Sequence, residues 1–280
     1  AASRMAHGML AHDLLTSKTL ESARPLAVEL EKHNIARRKI STTTAEQVKA
    51  KALAEFADKK FIFAVAEEYP YGIVGLIAGR IANELRKPCA VLTKGATESK
   101  GSFRSIPEFN VIESLEQCAD ILVKYGGHAA AAGMTIKNEH LDTFYERFNA
   151  LAVEKLALVD TEPKLTLDMP LSFEHLTPAL YRDLSRFAPF GEGNPEPVFG
   201  LEEVIVDDVR FVGAGEKHLK LRLKSKMGGK VLDAIAFNLG AKFGEIKIGE
   251  KVKIAFTLDE NTWNGNTTLQ LKVVDIETGG

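Results

Sequence analysis

Apolar and charged positions alternate at helical spacing through the first part of the chain. From Leu20 to about Arg38, Leu26 and Leu30 fall among Glu29, Glu31, Lys32, Arg37 and Arg38, which predicts a helix with Pro25 early in it. Ser41, Thr42 and Thr43 supply capping side chains, so a second helix is predicted from about Thr44 to Ala57. The pattern then changes. Phe61-Ile62-Phe63-Ala64-Val65-Ala66 reads as a buried strand, Ile73 to Arg86 as a helix and Cys89-Ala90-Val91-Leu92 as a second strand. Lys100 to Ser105 is expected to form a third strand. Val111 to Lys124 repeats Ile112, Leu115, Cys118, Ala119 and Leu122 at helical spacing, and the paired Gly126 and Gly127 are expected to cap that helix. A strand near Met134-Thr135-Ile136 and a helix from about His140 to Leu156 complete an alternation that indicates an α/β layer.

Periodicity lapses over residues 157–166, where a domain boundary is expected. A short helix is predicted from Thr177 to Phe187. Beyond Pro197 the period becomes two: Val252, Ile254, Phe256 and Leu258 alternate with polar residues, as do Leu269, Leu271 and Val273. Asn264-Gly265 and Gly228-Gly229 mark hairpin turns, and the several short strands fit a small barrel of the oligonucleotide-binding (OB) type. Phe211 and Phe237 are expected in its core.

At 280 residues and 45% hydrophobic content the chain has material for two domains and a remnant. The net charge of −2 carries no global nucleic-acid signal, so such a function needs a local patch. Cys89 and Cys118 lack metal-ligand spacing and sit in apolar surroundings, as expected of buried thiols in a reducing cytoplasm. There is no apolar run of membrane-spanning length and no signal-peptide pattern, so no membrane partner is expected.

Three segments could carry chemistry. Ser102 and Arg104 lie two apart and share one face of an extended segment, where a hydroxyl beside a guanidinium fork suits a phosphate; an unremarkable exposed strand gives the same pattern. In Tyr125-Gly126-Gly127-His128-Ala129-Ala130-Ala131-Ala132-Gly133 small residues permit close approach, and His128 either meets an anionic group or merely fills space. His218, Lys220, Arg222 and Lys224 alternate with leucines on one predicted strand. They form either a solvated outer face or a track for phosphates, with Trp263 beside the Asn264-Gly265 turn placed to stack on a base or to pack against a neighbouring domain. The backbone amides after Glu68-Tyr69-Pro70-Tyr71-Gly72 are a further place where a phosphate could bind. Pro189-Phe190-Gly191-Glu192-Gly193-Asn194-Pro195-Glu196-Pro197 is too rigid for a strand and is expected to be structural.

Taken together, Gly101-Ser102-Phe103-Arg104-Ser105, the Gly126-Gly127-His128 motif with its Ala-Ala-Gly sequel and the proline-rich segment resemble the RecJ family of single-strand-specific 5′→3′ exonucleases in the DHH superfamily. The resemblance covers essentially the whole chain. It implies residues 1–58 as the end of a DHH domain with connector helices, 59–158 as an α/β DHHA1 domain and 165–280 as an OB domain. It implies His128 as a catalytic residue that stabilises charge on the scissile phosphate, Gly126 and Gly127 as its substrate loop, and Arg4, Ser102 and Arg104 as a 5′-phosphate pocket. His218, Lys220, Arg222, Lys224 and Trp263 would contact single-stranded DNA. Ser3 stands where the family has glycine before the arginine, and Tyr69 and Pro70 replace its Trp-His pair.

No Asp-His-His triplet occurs. The chain is therefore expected to be the C-terminal part of such an enzyme, inactive alone and binding no metal itself, with Mn²⁺ or Mg²⁺ held by the other half. A role in repair and recombination, and a single-strand-binding protein and a helicase as partners, follow from the resemblance only, while a cytoplasmic location is expected from the cysteines as well. The competing readings are a non-catalytic module binding single strands or proteins, and a DHH-type hydrolase of short oligonucleotides.

Overall fold

The structure, a computed structural model, describes residues 2–278, with the backbone alone at positions 2 and 263. Its contacts divide the chain into units Ala1–Pro163 and Lys164–Gly280.

The first unit begins with α1 (Ala2–Met5), α2 (Met9–Thr16) and α3 (Leu20–Glu55). The two expected helices at 20–57 are one. Thr19 accepts from the Ser22 amide as N-cap, and Ser41, Thr42 and Thr43 lie inside the helix. Their cap chemistry acts only where the backbone leaves the helix, and no glycine or proline makes it do so here. Burial of Thr44, Ala45, Val48 and Ala52 then fixes the second half.

Next come β1 (Ile62–Ala66), α4 (Val74–Leu85), β2 (Cys89–Lys94), β3 (Glu98–Arg104), α5 (Val111–Glu116), β4 (Leu122–His128), β5 (Ala131–Lys137) and α6 (Leu141–Lys155). The strands form one sheet in the order β1-β2-β3-β5-β4, with β1 and β2 parallel through the α4 crossover and the rest antiparallel. On one face Phe103 packs with Phe61, Phe144 and Phe148, the Phe61–Phe148 ring centroids 4.5 Å apart. On the other face α4 lies on β2 and β3 and buries Ile77 and Ile81.

The helix expected to run to Lys124 stops at Glu116, and after a 3₁₀ turn at Ala119–Ile121 the chain becomes β4. Gly126 and Gly127 are therefore strand residues, not a helix cap. Pairing with β5 overrides the helical repeat, and Val123 and Lys124, both exposed, gain nothing from a helical stripe.

The second unit comprises β6 (Met169–Pro170), α7 (Pro178–Ser185), β7 (Phe199–Val212), β8 (His218–Ser225), β9 (Val231–Ala236), α8 (Gly240–Phe243), β10 (Lys251–Trp263) and β11 (Asn266–Thr278). The order β10-β11-β9-β8-β7 closes through β10–β7 pairing, giving a five-stranded OB-type barrel with β6 appended to β7. Asn264 and Gly265 both take positive φ, 49° and 79°, as a two-residue hairpin between β10 and β11 requires. In the proline-rich segment Asn194 Nδ2 donates to the carbonyls of Phe187 and Pro189, each at 3.0 Å, which folds it into a closed loop. Cys89 and Cys118 are buried free thiols, and burial pushes both thiol pKa values up. Among the described residues no helix is long and apolar enough to cross a membrane.

Candidate functional site

Glycines at the start of α4 gather the arginines. Ser102 and Arg104 project from β3 toward α4, and a Cβ built on Gly75 would lie 3.1 Å from Arg104 Nη2 and 3.3 Å from Ser102 Oγ. One turn later, a Cβ on Gly79 would lie 3.5 Å from Arg104 Cγ, so the arginine stem crosses a helix face kept bare. Three residues before Gly75, Gly72 receives α1. Arg4 Nη1 donates to the Gly72 carbonyl at 3.3 Å, and a Cβ on Gly72 would collide with the Arg4 backbone oxygen. Arg4 thus meets the segment that leads into α4, and Ser102 and Arg104 meet the first turn of that helix. Neither arginine has a carboxylate partner among the described residues, so both forks remain available to an anion.

Strand register carries the site across the sheet. Arg104 pairs with Ala131, which pairs with His128; Ser102 pairs with Gly133, which pairs with Gly126. Residues directly opposite each other share a face, so His128 points to the same side as Arg104 and Ser102. With a strand spacing of about 4.8 Å, Arg104 and His128 stand about 10 Å apart at the backbone. Between them lie Ala131, Gly133 and Gly126, and Gly126 and His128 are exposed beyond the part of the sheet that α4 covers. The result is a shallow shelf, cationic at one side, floored by the smallest residues and edged by an imidazole.

The two glycines of the motif do different work. A Cβ on Gly126 would meet nothing within 4 Å, whereas Gly127 has φ 155° and a Cβ there would sit 2.5 Å from Ala132 Cα. Gly127→Ala is expected to destabilise the first unit by about 2–3 kcal/mol through strain and collision, while Gly126→Ala leaves stability nearly unchanged. Denaturant titration of both variants checks this; equal midpoints would contradict the register.

In the barrel, β8 presents His218, Lys220, Arg222 and Lys224 outward while Leu219, Leu221 and Leu223 are buried. The stripe is not of one sign once folded. Asp207 lies 3.1 Å from Lys224 Nζ and 4.0 Å from Arg222, and Arg222 faces Asp208 and Asp233 on the adjacent strands. Lys220 instead stands in a row with Arg210, Ile235 and Lys272, and neither Lys220 nor Lys272 has an ion pair among the described residues. His218 Nδ1 accepts from the Asn238 amide at 2.9 Å, which leaves Nε2 as the donor nitrogen of the neutral ring.

Phe211 and Phe237, expected in the core, are exposed instead, 43% and 50%. Phe237 follows the last inward residue of β9 and meets the His218 ring edge-on at 5.4 Å. Phe211 lies where the barrel end opens toward α8. The side chain of Trp263 is outside the described residues; its backbone pairs with Asn266 at the β10–β11 turn.

Sequence reading missed Lys100 and Lys124, which stand opposite Thr135 in the next row of the same sheet face. It also missed Gly75 and Gly79, and read Gly72 only as the end of a loop. The four-residue spacing of Gly75 and Gly79 on one face of a predicted helix was a visible signal of a close approach.

Comparison with known proteins places these units. Residues 58–154 match the DHHA1 domain family and residues 167–275 the RecJ OB domain family. The single-stranded-DNA-specific exonuclease RecJ of Bacillus subtilis is 31% identical over 266 residues, 94% of this chain and 33% of that protein. The Thermus thermophilus protein of that name is 32% identical over 285 residues, 99% of this chain and 38% of the relative. The crystal structure of RecJ from Thermus thermophilus in complex with Mg²⁺ superposes with a TM-score of 0.82 at 28% identity, covering 100% of this chain and 42% of that one. A Mn²⁺ complex from the same organism gives the same TM-score over 40% of its chain. The chain therefore spans between a third and a half of the length of the curated relatives it matches. Among the described residues no group of three His, Cys, Asp or Glu side chains is placed to hold a metal ion.

Proposed function

From its membership of the RecJ family, with a DHHA1 domain followed by a RecJ OB domain, we propose that this chain holds single-stranded DNA and seats its 5′ end for 5′→3′ exonucleolytic cleavage. The observation that carries this reading is the convergence of Arg4, Ser102 and Arg104 on Gly72 and Gly75 at the start of α4. Two guanidinium groups that lack carboxylate partners and keep donors beyond one carbonyl bond each, together with a hydroxyl, complement a terminal phosphate, which offers more acceptor oxygens and charge than an internal phosphodiester. A strand laid from that pocket across the glycine floor brings its next phosphate toward His128. There the imidazole donates to a phosphate oxygen and stabilises charge that grows during cleavage.

Hydrolysis needs groups beyond those of this chain, since divalent-metal chemistry of the kind the relatives' structures carry has no ligand set among the described residues. In this reading the chain alone binds DNA without cleaving it. The barrel contributes single-strand contacts of its own through Lys220 and its neighbours. An extended single-strand track favours a polynucleotide over a short oligonucleotide, and repair and recombination are the processes that generate such ends.

Equilibrium binding tests the reading. The chain is expected to bind a single-stranded oligonucleotide more tightly than the matching duplex, with affinity falling steeply as salt rises. Lys220→Ala should lower the slope of log K against log salt by about 0.7, the loss of one single-strand phosphate contact. Lys224→Ala should change it little, because Asp207 already compensates that charge. Equal affinity for both DNA forms would refute single-strand binding.

A further inference from the structure

Next to the proposed phosphate pocket lies a hollow that its three residues do not use. It has a volume of about 330 Å³ and is lined by Tyr71, Thr93, Gly95, Ala96, Thr97, Glu98 and Lys100. Tyr71 immediately precedes Gly72, the residue that receives Arg4, yet its own ring is turned out, 63% exposed. Lys100 lies on β3 two residues before Ser102. It therefore shares the Ser102 face at a distance of about 7 Å along the strand.

The walls are fixed independently of any ligand. Gly95 N donates to the Glu98 carbonyl at 2.9 Å, which closes the β2–β3 turn. Asn138 Nδ2 donates to the carbonyls of Gly95 and Ala96 at 2.9 and 3.2 Å, and the Asn138 amide donates to Thr97 O at 2.9 Å. Thr93 Oγ1 donates to Tyr69 O at 2.6 Å and so pins the loop that carries Tyr71. With those polar groups occupied, the hollow keeps the Tyr71 ring, the Lys100 ammonium, the Glu98 carboxylate and the Thr97 hydroxyl among its lining. Neither Lys100 nor Glu98 has an ion-pair partner among the described residues.

We propose that the Tyr71–Lys100 hollow is a nucleobase subsite that receives the base of the strand's terminal nucleotide, with Tyr71 stacking on it and Lys100 donating to a carbonyl oxygen at the base edge. An exposed ring on a rigid loop has no packing role, and it offers a base a π-face with little ordering cost. Glu98 can accept a hydrogen bond from an exocyclic amine at the base edge. The inference rests on the proposed 5′-phosphate seat, because that seat fixes which nucleotide reaches the hollow.

The test uses the whole chain and two 5′-phosphorylated single strands that differ only in an abasic site at the first nucleotide. The wild type is expected to bind the base-containing strand about five- to tenfold more tightly. Tyr71→Ala should remove that difference, Tyr71→Phe should keep it, and both should retain the preference for a 5′-phosphate over a 5′-hydroxyl end. A wild-type chain that prefers the 5′-phosphate but ignores the terminal base overturns the subsite alone. Discrimination that survives in Tyr71→Ala also overturns it. Loss of the phosphate preference in the wild type would instead overturn the pocket on which the subsite depends.

Discussion

Replacing Arg104 with alanine is expected to weaken binding of a 5′-phosphorylated single strand by about ten- to hundredfold, while a 5′-hydroxyl strand loses little. A hydrogen bond to a charged partner contributes about 1.5–3 kcal/mol, which sets that range. The expected effect is large because the guanidinium is already placed: its stem runs over Gly75 and Gly79, and Nη1 donates to the Phe103 carbonyl at 2.7 Å. No ordering of a flexible side chain is needed when phosphate arrives. Arg104→Lys should recover only part of the loss, since an ammonium supplies charge without the planar fork. Gly72→Ala should resemble Arg4→Ala, because a Cβ there displaces the Arg4 backbone and with it the third member of the pocket. Competition binding with the two oligonucleotides reads all four variants, and a ratio unchanged by Arg104→Ala would move the phosphate seat elsewhere.

His128→Ala is expected to lower the rate of hydrolysis about hundredfold in a protein that joins this chain to a metal-holding domain, with a much smaller loss of DNA affinity. The imidazole is exposed on the sheet-edge strand and has no hydrogen-bond partner among the described residues, so its removal leaves no buried group unsatisfied. What it does offer is a donor on the same face as Arg104, two strands away, where charge on a neighbouring phosphate would grow. A group of that kind acts chiefly in the transition state. Single-turnover rates beside equilibrium affinities separate the two effects, and parallel losses would make His128 a simple binding residue.

Much of this architecture is readable from residue order. Alternation of period two marked the barrel strands, and Asn264-Gly265 marked their last hairpin, because only certain residues accept two successive positive φ angles. Ser102 and Arg104 were recognisable as neighbours on one face because the pleat dictates it. Two errors share one cause, that local pattern is subordinate to pairing. The apolar repeat from Ile112 to Leu122 reads as a helix, yet β5 offers the second half a strand partner, and Gly127 then serves backbone approach within a hairpin. Ser41-Thr42-Thr43 reads as a helix start, yet burial of Ala45 and Val48 keeps the backbone helical through it.

The charge of β8 was misleading for a related reason. Alternation shows which residues face outward but not what stands across from them, so the Asp207 and Asp233 that compensate Arg222 and Lys224 emerge only with the register. Phe211 and Phe237 were assigned to the core by hydrophobicity alone. They sit at strand ends, where the barrel no longer supplies a cover. The gathering of Arg4 with Ser102 and Arg104 depends on Arg4 meeting Gly72, 68 positions away, and on Gly75 leaving room for Ser102 and Arg104, which no periodicity encodes.

The most direct measurement is the affinity of the unmodified 280-residue chain for two single strands of identical sequence, one ending in a 5′-phosphate and one in a 5′-hydroxyl. Arg4, Ser102 and Arg104 converging on a terminal phosphate predict a preference of about tenfold or more for the phosphorylated strand, diminishing as inorganic phosphate is added. Equal affinity for the two strands across the salt range would contradict the account.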